Sequence, residues 1–184
     1  MTENKPLEFL LAFLVSILIA GSLSLHAQVA PAATRNGISL SAGAMLSGFQ
    51  PDYGPNDLGG VGVFADLNVF HGLGVEAEGR WLHFNEFEKI RQENYLVGPR
   101  FQLRHIARAT PYIKVLAGEG RMVFENDFAI GRFTDIAYGG GVDVRITRQI
   151  SIRAVDVEFQ QWPKFLGGSL YPAGISAGVS YRIF

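Results

Sequence analysis

From residue 38 to residue 183 the chain alternates apolar and polar side chains through eight successive segments, and that period of two excludes most folds at once. A strand sends successive side chains to opposite faces, whereas a helix would repeat its apolar positions every three or four residues. Ile38, Leu40, Ala42, Ala44 and Leu46 share one face of the first segment, with Ser39, Ser41 and Ser47 on the other. In the second, Val61, Val63, Ala65, Leu67 and Val69 oppose Gly60, Gly62, Phe64, Asp66 and Asn68. The third sets Leu73, Val75, Ala77 and Trp81 against Glu76, Glu78 and Arg80. The fourth sets Tyr95, Val97, Pro99, Phe101 and Leu103 against Asn94, Arg100, Gln102 and Arg104. Ile113, Val115 and Ala117 oppose Lys114 in the fifth, after which Glu119 breaks the apolar parity. The sixth places Ile136, Tyr138, Val142, Val144 and Ile146 opposite Asp135, Asp143 and Arg145. The seventh slips once between Ala154 and Val155, then resumes with Val157 and Phe159 against Asp156, Glu158 and Gln160, as a β-bulge requires. The eighth opposes Ile175, Ala177, Val179, Tyr181 and Ile183 to Ser176, Ser180 and Arg182. The expected fold is all-β.

Two closed eight-stranded architectures alternate in this way. A soluble barrel of the lipocalin kind turns its apolar set inward, and a transmembrane barrel turns it outward to lipid. The connections favour the second. Those at about residues 50–57, 85–92, 121–134 and 161–171 are long, and those at 70–72, 105–110 and 147–149 are shorter, so long and short connections fall at opposite ends. Charged residues make up 18% of the chain, below the roughly 25% usual for soluble domains. Aromatic residues gather near segment ends, which predicts two interfacial girdles: Phe49, Tyr53, Trp81, Phe84, Tyr95, Phe133, Trp162 and Tyr171 toward the long loops, and Phe70, Phe101, Tyr112 and Phe184 toward the short turns. A bilayer also demands that every backbone polar group be paired, which strands achieve only by closing. The expected structure is an eight-stranded antiparallel up-and-down transmembrane β-barrel over residues 36–184.

Residues 1–27 read as a secretory signal. Lys5 precedes an apolar run over residues 9–20, too short for the ~20 residues of a spanning helix, and small residues follow up to Ala27, after which cleavage is expected. A retained anchor helix is the alternative. Residues 28–35 form a short lead-in. Removing the signal takes away one Lys and two Glu, leaving 15 basic and 15 acidic residues, so no net field favours nucleic acid. The absence of cysteine excludes disulfides, thiolate metal sites and a cysteine nucleophile.

The candidate functional residues are the charges on the inward face: Asp66, Glu76, Glu78, Arg80, Arg100, Arg104, Lys114, Asp143, Arg145, Arg153, Asp156, Glu158 and Arg182. They could line a narrow, gateable pore. An eight-stranded interior is only wide enough for side chains to fill, and unpaired buried charge is expensive, so an ion-paired structural plug is the stronger expectation. No metal spacing and no cofactor motif is present, and Gly139, Gly140 and Gly141 lie in a strand with no helix after them, so they are not a phosphate cradle. An outer-leaflet lipid-modifying enzyme would need His, Ser and an acid at the outer rim. His71 and His105 fall in short turns, and His83, near the rim, has only loop acids (Glu86, Glu88) nearby, so no catalytic residue is assigned.

The strings Tyr95-Leu-Val-Gly-Pro-Arg-Phe-Gln102, Ala137-Tyr-Gly-Gly-Gly-Val-Asp-Val-Arg145 and Arg153-Ala-Val-Asp-Val-Glu-Phe-Gln-Gln-Trp-Pro163 resemble the small outer-membrane β-barrel family of the OmpA/OmpX type. The ending Ala177-Gly-Val-Ser-Tyr-Arg-Ile-Phe184 is similar to that family's last strand, although Phe184 falls on the opposite parity from Tyr181. The resemblance implies an outer-membrane location in a Gram-negative-type bacterium, contact with lipid and lipopolysaccharide, and recognition of the strand ending at Phe184 by the barrel-insertion machinery. It also implies a monomer without the periplasmic domain of full-length OmpA. The functional expectation is a structural or surface-interaction role, with adhesion or contact with an extracellular ligand through the long loops. A gateable pore and a lipid-modifying enzyme remain the alternatives.

Overall fold

Residues with period-two alternation pair with their chain neighbours, and the sheet closes when the first strand meets the last. A computed structural model of the chain describes residues 37–52, 57–83, 91–123, 130–165 and 168–184. The expected signal at 1–27 and lead-in at 28–35, with the girdle positions Tyr53 and Phe84, lie outside the described residues. The strands are β1 (Ser39–Gln50), β2 (Leu58–Phe70), β3 (Leu73–His83), β4 (Arg91–Gln102), β5 (Ala109–Val123), β6 (Ile130–Arg145), β7 (Ile150–Phe165), β8 (Gly168–Leu170) and β9 (Ala173–Arg182). Each pairs antiparallel with its predecessor, except that β7 pairs with both β8 and β9, and β1 pairs with β9 to close the barrel. The short β8 and the longer β9 together make the eighth stave, separated by Tyr171 and Pro172.

The apolar set faces outward. Val61, Val97 and Val179 are about half exposed, whereas Glu76, Arg100 and Arg153 are at most 1% exposed. That orientation suits lipid outside and polar side chains within, the reverse of a soluble container. The parity slip in the seventh segment is a bulge: Arg153 opposes Gly178 of β9 and Asp156 opposes Ser176, so β7 uses three steps where β9 uses two. The β2–β3 connection is a two-residue turn in which His71 (φ 46°) and Gly72 (φ 85°) both take the left-handed conformation, whose twist matches the flanking strands.

Pairing runs further toward the long-loop end than alternation implied. Residues 121–123 and 130–134, expected in a loop, belong to β5 and β6, and residues 161–165 and 168–170 continue the β7–β8 hairpin. Backbone hydrogen bonds need no apolar partner face, so a polar segment can stay in the ladder beyond the lipid. Glu119 shows this, since it faces outward and pairs at 3.5 Å with the exposed Arg132.

Candidate functional site

Inward positions two residues apart on one strand stack along the barrel axis, and this brings the charges of six strands, β2 to β7, into one cluster. Lys114 of β5 sits at its centre. Its Nζ lies 3.1 Å from Glu76, 2.9 Å from Asp156 and 3.2 Å from Glu158, and it also contacts Glu78. Glu76 and Glu78 come from β3, and Asp156 and Glu158 from β7 beyond the bulge. The bulge therefore matters to the cluster, because without it Asp156 and Glu158 would face lipid. Arg153, on the other side of the bulge, reaches Glu76 at 3.0 Å, Asp66 at 3.2 Å and Asp156 at 3.3 Å. Arg100 of β4 binds Asp66 at 2.9 Å, Glu76 at 3.1 Å and Asp143 at 2.6 Å. Arg80 bridges Glu78 and Glu158, each at 2.8 Å. Such charge-assisted, forked contacts are the condition under which buried charge is tolerated.

Aromatic rings complete the cluster. The guanidinium of Arg153 lies 3.7 Å from the ring centre of Phe64, that of Arg100 lies 3.8 Å from Tyr112, and that of Arg80 lies 4.5 Å from Phe49. The Tyr112 hydroxyl donates to Asp156. Tyr112, Phe49, Phe133 and Trp162 were expected in the girdles, and all four are instead buried inside the barrel. In three cases the room comes from a glycine directly opposite. Phe49 faces Gly174, Phe133 faces Gly120 and Tyr112 faces Gly141, and a Cβ on any of these glycines would lie under 3 Å from the ring or its hydroxyl. Other aromatic residues of the expected girdles do face outward: Phe70, Tyr95, Phe101, Tyr171 and Phe184 are exposed, and the Trp81 indole N–H donates to the Tyr95 hydroxyl at 3.1 Å.

Ten of the thirteen candidate charges meet in this cluster: Asp66, Glu76, Glu78, Arg80, Arg100, Lys114, Asp143, Arg153, Asp156 and Glu158. Arg104, Arg145 and Arg182 do not. They are exposed at the short-turn mouth, and among the described residues they make no ion pair. They stand where the staves end rather than within the lumen: β4 ends at Gln102, β6 ends at Arg145, and Arg182 closes β9. Asp135 is an interior carboxylate that the candidate set omitted. It is fully buried and bonded by Asn94, which Gln92 holds at 2.9 Å, and it makes no ion pair among the described residues. On the long-loop side the interior is otherwise uncharged, with Trp162 donating to Gln160 at 3.1 Å, the rings of Phe133 and Trp162 4.1 Å apart, and Phe49 packed on Leu58 and Leu82.

The carboxylates of Glu76, Glu78 and Asp156 lie close enough together to ligate a metal ion, but the Lys114 ammonium touches all three. His83 is exposed at the end of β3 opposite Gly59 and Arg91, neither of them a nucleophile or an acid. His105 contacts the Thr110 hydroxyl at 2.6 Å.

The sequence pattern of the outer membrane protein beta-barrel domain matches residues 15–182. The fold is similar to that of Neisserial surface protein A (TM-score 0.60, 12% identity, covering 79% of this chain and 96% of that one). It is also similar to Ail, the attachment invasion locus protein of Yersinia pestis, solved with the heparin analogue sucrose octasulfate (TM-score 0.53, 20% identity, 79% and 97%). A third similar structure is OprG of Pseudomonas aeruginosa (TM-score 0.52, 11% identity, 80% and 96%). No curated protein matches the chain by sequence.

Proposed function

Because the chain belongs to the outer membrane protein beta-barrel domain family and resides in the outer membrane, we propose that it is a closed scaffold that holds its long loops outside the cell for a structural or adhesive role. It is made as a precursor with a cleaved signal over 1–27 and a lead-in over 28–35, inserted through recognition of the strand ending at Phe184, and it works as a monomer among lipopolysaccharide and phospholipid with its short turns toward the periplasm. One observation carries this reading: the cluster around Lys114 and Arg153 occupies the lumen with mutually bonded side chains, which favours a plug over a conducting path and leaves the loops as the interacting surface.

The loop sequences narrow the ligand. The four long connections and the strand ends beside them carry eight acids (Asp52, Asp57, Glu86, Glu88, Glu93, Glu119, Glu125, Asp127) and five bases (Lys89, Arg91, Arg121, Arg132, Lys164). A polyanion such as the heparin analogue held by Ail is electrostatically disfavoured there, and a neutral or cationic surface suits it better. Three assays of the intact protein test the proposal. Protease added to whole cells should cut within 85–92, 121–134 and 161–171 and spare 147–149. Planar bilayers should show no discrete conductance steps, and exchanging the loops for short turns should abolish attachment or alter envelope permeability. Conductance steps sensitive to Arg100→Ala would replace the scaffold by a pore. Acyl release from lipopolysaccharide that is lost in His83→Ala would replace it by an enzyme.

A further inference from the structure

The overall charge balance hides a separation along the barrel. Among the described residues the interior holds seven carboxylates (Asp66, Glu76, Glu78, Asp135, Asp143, Asp156, Glu158) against four cations, and the long-loop end is also acidic. The compensating positive charge stands at the short-turn mouth. Arg104, Arg108, Arg145, Arg148 and Arg182 are all exposed there, and no Asp or Glu occurs in residues 70–73, 102–109, 145–150 or 181–184.

Arg104 follows the end of β4, and Arg145 and Arg182 are the last residues of β6 and β9. The backbone N–H of Arg145 donates to the Arg108 carbonyl, and that of Arg182 to the Gln149 carbonyl, so the strand ends and turns are laced together. Ser151 of β7 pairs with Arg145 on one side and with Ser180 on the other, so the ends of β6 and β9 that carry Arg145 and Arg182 flank one strand. Asp143, two residues before Arg145, is held by Arg100 and Arg153. Five guanidinium groups thus gather at one mouth without a carboxylate side chain to answer them, an arrangement that favours an external anion.

Phe70, Phe101, Leu103, Ile106, Ile146, Tyr181, Ile183 and Phe184 are exposed around the same mouth. In a bilayer such apolar and aromatic side chains mark the level where hydrocarbon ends, so the arginines stand at headgroup depth. We infer that the short-turn mouth is a collar for anionic phospholipid, whose phosphates the arginines bind bidentately at the barrel's edge. The inference rests on the proposed orientation only for which leaflet supplies the lipid.

The test uses the whole barrel in phosphatidylcholine bilayers, with spin-labelled phosphatidylglycerol and spin-labelled phosphatidylcholine as probes of the lipid shell. The wild type should favour the anionic probe roughly fivefold, as an Arg beside an anionic surface implies. Arg104→Gln/Arg145→Gln/Arg182→Gln should bring the ratio close to one, as should ~1 M salt, which shortens screening to about 3 Å. Arg121→Gln/Arg132→Gln, which removes two cations from the opposite end, should keep the preference. All five positions are at least partly exposed, and heat-modifiable gel mobility verifies that each variant is folded. No preference in the wild type, an unchanged preference in the triple variant, or equal loss in the double variant overturns the collar. Retention of soluble peptidoglycan fragments, abolished in the triple variant while lipid preference is absent throughout, would assign the mouth to the cell-wall polymer instead. Whole-cell proteolysis reports orientation separately, so the two readings fail by different results.

Discussion

The two halves of the lumen are filled by different physics. Toward the short turns, Asp66, Glu76, Arg100, Lys114 and Arg153 are held by ion pairs in which nearly every group has several partners. Toward the long loops, Phe49, Leu58, Leu82, Phe133 and Trp162 fill the space with rings and aliphatic groups, joined by the amides of Gln92, Asn94 and Gln160. The difference teaches what an eight-stranded lumen requires. Its demand is volume, and either apolar bulk or fully paired charge meets it, but the two should respond differently to loss of a single member.

The largest effect should come from Arg153→Met, which strips a shared partner from Asp66, Glu76 and Asp156. Leaving buried charge uncompensated costs about 3–5 kcal/mol, read as a lower urea midpoint in gel-shift unfolding. Lys114→Met should cost a similar amount and adds a pH signature. Four carboxylates would face one another there, so protonation relieves their repulsion. The deficit against wild type should therefore shrink as pH falls from 8 to 5 and grow again as pH rises. In the apolar half Leu82→Ala should cost about 2–5 kcal/mol through the cavity it leaves beside Phe49 and Leu58, with no such pH dependence; a pH-dependent deficit there would erase the contrast between the halves.

Smaller effects probe the walls. Gly43→Ala would put a Cβ 2.5 Å from the Phe64 ring and 2.4 Å from the Val179 carbonyl oxygen, an overpacking worth about 1–3 kcal/mol. Glu119→Gln removes an exposed outward pair and should change stability by at most about 1 kcal/mol.

The sequence carried the faces but not the depths. Alternation alone separated Val97 from Arg100 and located the bulge at Ala154 and Val155, because a one-residue slip inverts every side chain after it. It could not say where each stave leaves the membrane, so Arg104, Arg145 and Arg182 were grouped with charges lying deeper. The misplaced aromatics have another cause. Phe49, Tyr112, Phe133 and Trp162 all lie on the inward parity of their own strands, and placing them by nearness to a loop overlooked it. Once hairpin register is known, a second sign is available in the glycine that faces Phe49, Tyr112 or Phe133 across the ladder. Asp135 was visible on the polar face of the sixth segment, yet nothing in its local spacing distinguished a carboxylate held by an amide from one held by a cation.

The cluster's partners are far apart along the chain: Arg80 meets Glu158, Lys114 meets Glu76, and Arg153 meets Asp66. A nascent β2–β3 hairpin entering hydrocarbon alone would pair Glu78 with its own Arg80 but carry Asp66 and Glu76 without the cations of β4, β5 and β7. Partial assemblies are therefore penalised in proportion to the charge they strand, and the cheapest route lets the wall curl shut while it crosses the interface. In this chain, membrane entry and ring closure are therefore expected to proceed as a single concerted event.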